Sequence, residues 1–163
     1  MFVGAGHETW NTFVAGNALT TVALNPARWI SLKNVRWLKA IVSITNATTV
    51  TGRAVTLKQA TAVAGTGVKA LAYSRMFANT DVGAAAGNVL TETAVTSNTF
   101  TSSTTNSKEL LYVIEVDPAT LDIANGFDCF AVDVTAGAAS GATVIYECLM
   151  KYGGATVPTI VAD

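Results

Sequence analysis

The feature that most constrains this chain is a succession of short runs in which apolar and polar residues alternate, each ended by Gly, Asn, Thr or Pro. A period of two places successive side chains on opposite faces of an extended strand, so such runs build half-buried sheets rather than helices. Residues 18–24 are β-branched and apolar and are stopped by Asn25-Pro26; residues 28–32 and 37–45 follow, the latter containing Ile41-Val42-Ser43-Ile44. In residues 53–61, Val55, Leu57 and Gln59 share one face, with Arg53 at its end, while Ala54, Thr56 and Lys58 take the other. A Gly65-Thr66-Gly67 turn leads into residues 69–78, where Leu71, Tyr73 and Phe77 share a face with Arg75. Residues 89–96, 108–117 (Leu110, Tyr112, Ile114 and Val116 in register), 127–134 and 142–151 complete the series. Runs at about 8–12-residue spacing predict an all-β fold, an antiparallel β-sandwich. The one helical signal is Asp117-Pro118-Ala119-Thr120-Leu121, with Asp as cap and Pro at the first helical position, and it amounts to a single turn.

Three stretches resist assignment to strands. Residues 1–17 are polar and Gly-containing and read as an extended N-terminal arm. Residues 79–88 make a Gly/Ala/Asn loop, and residues 97–107 are Ser/Thr-rich with one aromatic, Phe100. The expected organisation is an arm over 1–17, a sandwich domain over 18–152 and a tail over 153–163. With 163 residues the chain fits one domain.

Charged residues make up only 13% of the chain, against a usual fraction of about 25%. Few charges with abundant Ala, Thr and Gly suit a surface covered by neighbours, and predict a homo-oligomer. The charges are also lopsided. Residues 1–80 carry eight of the ten Lys and Arg but one acid, Glu8, whereas residues 81–163 carry Lys108 and Lys151 against ten acids. Either copies pair electrostatically, or strands from the two halves interleave and mix the charges in space. The basic residues are scattered rather than clustered, which argues against direct nucleic-acid binding. No stretch reaches the roughly 20 apolar residues of a membrane span, and the first residues lack the basic region of a signal peptide, so assembly in the cytoplasm is expected.

Chemistry is hard to assemble from these residues, and no enzyme is expected. The single histidine, His7, sits beside Gly6 in the arm, poorly placed for proton transfer, and no Gly-x-Ser-x-Gly elbow accompanies it. Two cysteines and one histidine do not make a zinc site, so no metal and no cofactor are expected. Glu115, Asp117, Asp122, Asp128 and Asp133 lack the spacing of a calcium loop and read as turn caps and strand ends. Trp29 and Trp37 lie in apolar strand contexts and read as core or interface residues. Trp10 and Phe13 in the arm and Phe100 in the Ser/Thr loop are the candidate protein-interface residues, because aromatic anchors dominate such contacts.

Cys129 and Cys148 flank an expected hairpin whose strands are joined by a Gly-Ala-Ser loop. Pairing Val134 with Thr143 would set the two cysteines directly opposite. A competing register aligns Phe130, Val132 and Val134 with Cys148, Tyr146 and Val144 and separates the sulfurs. The hydrophobic match favours the second, and in a reducing compartment both residues are expected as buried thiols.

The runs Trp37-Leu38-Lys39-Ala40 and Val55-Thr56-Leu57-Lys58-Gln59-Ala60-Thr61, with Asp117-Pro118-Ala119-Thr120-Leu121-Asp122 before Gly126-Phe127-Asp128, resemble small virion proteins of tailed bacteriophages over roughly residues 25–152. The likeness lies in general layout and implies a β-sandwich or jelly-roll decoration (cement) protein. Such a protein would bind the major capsid protein at the virion surface as a dimer or trimer. A tail or head–tail connector protein is the alternative, and a carbohydrate-binding module a more distant one.

Overall fold

The computed structural model describes residues 9–18, 23, 24, 26, 28–84 and 88–151. Within them run β1 (Thr9–Ala18), β2 (Ile30–Ser31), β3 (Val35–Asn46), β4 (Ala54–Ala60), β5 (Lys69–Ala70), β6 (Arg75–Asn79), β7 (Thr91–Ala94), β8 (Thr99–Thr101), β9 (Glu109–Val116), β10 (Cys129–Val134) and β11 (Ser140–Met150). They form two antiparallel sheets, one ordered β1-β11-β3-β9-β6-β7 and the other β2-β10-β4-β5, with β8 also paired to β4.

The pairings nest. β1 pairs with β11, β2 with β10, β3 with β9 and β4 with β5, as if one long hairpin had been rolled so that its pairs alternate between two layers. That is jelly-roll topology, with β6 and β7 extending one sheet and β8 added to the other. The nesting also accounts for the lopsided charge. Strands from the first half of the chain necessarily lie beside strands from the second, and Lys33–Asp128, Lys39–Glu147, Lys58–Asp133 and Lys69–Asp122 are all ion pairs across that divide. The charges therefore mix within one molecule.

Alternation was a reliable guide to the inner face of β4 and β9. Leu38, Ala40, Val42 and Ile44 of β3, Leu110, Tyr112, Ile114 and Val116 of β9, and Val144, Tyr146 and Cys148 of β11 are buried against Val55 and Leu57 of β4 and Phe130, Val132 and Val134 of β10. Phe130 and Tyr146 meet edge to face across the layers, with ring centroids 5.5 Å apart. Asp117 caps the 3-10 turn Pro118–Thr120 through a 2.9 Å bond from the Ala119 N–H, as its sequence predicts, and a second such turn spans Ile123–Asn125.

Four sequence expectations need correction. Residues 9–17, read as an arm, belong to β1, a full edge strand of the six-stranded sheet, on which Thr12 and Val14 are exposed. Residues 69–78 are not one strand. The chain leaves one sheet after Ala70 and joins the other at Arg75, so Met76 rather than Phe77 points inward. Phe100 is not in an exposed loop: it lies in β8, 9% exposed, its ring 4.8 Å from that of Tyr112. Finally, β10 and β11 form no hairpin in either register, because they lie in different sheets. Cys129 stands between Ser31 and Ala60, and Cys148 between Asn11 and Leu38. Both are buried and neither is in a disulfide. The hydrophobic match that suggested the second register is real, but it joins two inward faces across the core rather than two neighbouring strands.

Candidate interaction surface

Polar groups occupy both ends of the inner face of β4. Arg53, fully buried, donates from Nε to Ser140 Oγ (2.8 Å), from Nη1 to the Thr135 carbonyl (2.9 Å) and from Nη2 to the Ser140 carbonyl. Burial lowers its pKa, yet a guanidinium keeps its proton in proteins, so the loop between β10 and β11 wraps a permanent cation. Gly137 makes room for it. A Cβ there would lie 2.8 Å from Arg53 Cγ and 2.7 Å from Ser140 Oγ. At the other end, Gln59 accepts from the Asp122 N–H (2.9 Å) and donates to the Ala70 carbonyl (3.0 Å), fastening the 3-10 segment to the sheet. These are structural roles.

The outer face of the six-stranded sheet is different in kind. Its cross-strand neighbours form rows. Val14, Ile145, Ile41, Val113 and Phe77 make one continuous apolar row across β1, β11, β3, β9 and β6. Val14 is 59% exposed, and the other four are partly exposed. On one side runs a row of Thr12, Glu147, Lys39 and Glu115, in which Lys39 and Glu147 pair at 3.6 Å. On the other lies Asn17, Thr143, Ser43, Leu111 and Asn79. Beyond the charged row, Trp10, Leu149 and Trp37 are neighbours in register. An apolar row bounded by a row of alternating charge on one side and a mostly polar, uncharged row on the other has the makeup of a protein-binding surface, with an apolar centre and a polar rim.

Of the interface residues expected from sequence, Trp10 and Phe13 stand in β1 opposite Leu149 and Tyr146; their side chains lie outside the described residues, as does all of His7. Phe100 is in the core. The residues missed were Ile41, Val113, Ile145 and Phe77. The signal for three of them was present: Ile41-Val42, Tyr112-Val113-Ile114 and Val144-Ile145-Tyr146 are apolar at both parities, which a strand with one wet face does not need.

Two of the concavities on the molecule combine charged and apolar walls. One of about 150 Å³, at the crossing from β5 to β6, has Trp37, Leu57, Leu71 and Val116 among its apolar walls and Arg75 and Glu115 among its polar ones. The neighbouring Tyr73 hydroxyl is buried without a hydrogen-bond partner, and burial raises its pKa. The other, of about 490 Å³, lies between the β2–β3 turn and the 3-10 segment, lined by Lys33, Arg36, Lys151, Asp117, Asp128 and apolar Leu32, Val35, Pro118 and Ile123. Among the described residues no cluster of three or more His, Cys, Asp or Glu side chains is arranged to hold a metal, and no helix is long and apolar enough to cross a membrane.

No protein-family model and no curated protein matches the chain. Among solved structures it is similar to YomS, a protein derived from the SPBc2 prophage, at 16% identity and a TM-score of 0.46, over 91% of this chain and 99% of that one.

Proposed function

We propose that this chain is a structural protein of a bacteriophage virion that binds and stabilises the capsid from its surface as a decoration protein, with the major capsid protein as its partner. The observation that carries the proposal is the apolar row Val14–Ile145–Ile41–Val113–Phe77 on the outer face of the six-stranded sheet. Jelly rolls recur in capsid proteins, the sequence layout resembles that of small virion proteins, and a charged fraction of 13% suits a surface that neighbours cover. A decoration protein stabilises a shell by mass action, binding the mature arrangement of capsomers and not the precursor. The role is structural rather than catalytic, and it needs neither cofactor nor nucleic acid. The test is co-sedimentation with purified mature capsids. Ile41→Lys, at the centre of the row, should weaken binding at least tenfold while leaving the circular dichroism spectrum unchanged. Equal binding by wild type and variant removes this face from the interaction, and absence of wild-type binding removes the capsid.

A further inference from the structure

The edges of the two sheets are unequal. Among the described residues β2 and β5 have two residues each, β8 three and β7 four, so three of the four sheet edges are too short to template another strand. The fourth is β1, with ten residues, Thr9–Ala18. Proteins blunt long edges with charge, proline or covering chain. β1 has no charged residue and no proline, and among the described residues its cover on the side away from β11 is one bond, from the Arg28 N–H to the Ala15 carbonyl at 2.9 Å. A bulge between Val14 and Gly16 turns the last residues aside. What remains is the uncharged, regular stretch from Thr9 to Val14, carrying the most exposed apolar side chain of the row, Val14.

We propose that β1 pairs antiparallel with β1 of a second copy across a two-fold axis, joining the two six-stranded sheets into one. A second copy fits this edge because an antiparallel ladder between identical strands is self-complementary, and because strands without charge meet with no like-charge opposition. The axis must stand perpendicular to the sheet if both apolar rows are to stay on one face. That requires opposed residues of the same parity, so the free stretch, whose midpoint falls between Asn11 and Thr12, can centre on either. The register with Thr12 on the axis is the one that keeps Val14 inside the ladder, opposite Trp10 of the second copy rather than Glu8, which lies outside β1. The two apolar rows then share one face across the seam. This makes the homo-oligomer expected from the sequence a dimer rather than a trimer, and it does not depend on the capsid.

The test uses the full-length protein in solution. Sedimentation equilibrium should give twice the chain mass for the wild type and a monomer for Thr12→Lys, which opposes two like charges on the axis. Thr12→Cys should form an intermolecular disulfide on mild oxidation, since directly opposed residues have Cβ atoms about 4.5–5.5 Å apart, whereas Glu92→Cys on the opposite edge should not. Both native thiols are buried and give little background. A wild-type monomer or trimer overturns the proposal, as does a dimer that survives Thr12→Lys without Thr12→Cys cross-linking. Each of these results is independent of whether capsids bind.

Discussion

The hydroxyl of Tyr146, from β11, crosses the sandwich and accepts a 2.8 Å hydrogen bond from the backbone N–H of Val132 in β10. The reason lies in the brevity of β2. Phe130 pairs with Ile30, and the Val134 N–H donates to the Leu24 carbonyl (2.8 Å), so Val132 faces the gap between those two contacts on one edge of β10. A tyrosine from the opposite layer fills it. Tyr112 acts similarly, accepting from the Ser103 N–H at 2.9 Å beyond the end of β8. Tyr146→Phe leaves a buried N–H without its partner and should cost about 1–3 kcal/mol, measured by urea unfolding. A change below about 0.5 kcal/mol would mean that the bond contributes little.

Arg53 and Gly137 should behave as a coupled pair. Arg53→Ala strips the Thr135 and Ser140 carbonyls of their donor and opens a cavity, at a cost of about 2–5 kcal/mol. Gly137→Ala drives a Cβ against the Arg53 side chain and Ser140 Oγ and should cost about 1–3 kcal/mol. A double-mutant cycle should show non-additivity, since the second substitution has less to clash with once Arg53 is shortened. Strict additivity would contradict the packing described.

Alkaline pH should destabilise the protein through its buried thiol and phenol groups. Burial, with a smaller contribution from Glu147, pushes the Cys148 thiol from 9.0 up to about 12, and burial also raises Tyr112 and Tyr146. The native state thus holds protons that the unfolded chain releases, so this stability is intact at neutral pH and declines as pH rises above about 9. Urea midpoints measured from pH 7 to 10.5 should fall in the upper half of that range; a flat profile would contradict the assignment. Native protein should resist a thiol reagent, and protein unfolded without reductant should yield two thiols per chain.

How much of this was legible beforehand follows from what a strand's own sequence encodes. The inward residues of β4, β9 and β11 were readable because burial on one face imposes period two within each strand. Partners were not, because Phe130, Val132 and Val134 match Cys148, Tyr146 and Val144 equally well as a hairpin or across a core. β1 was missed because an edge strand half in water looks like an arm, and Phe100 because one aromatic in a Ser/Thr stretch carries no period. The outer apolar row lay in the sequence only as runs apolar at both parities. Its continuity across five strands is a property of register, which no single run contains.

The direct measurement of the central claim is the position of this chain in a reconstruction of the virion. The expected result is jelly-roll density on the outer capsid surface, with the Ile41 face of the six-stranded sheet turned toward a neighbouring subunit. Density confined to the tail or connector, or an Ile41 face open to solvent in every copy, would contradict it.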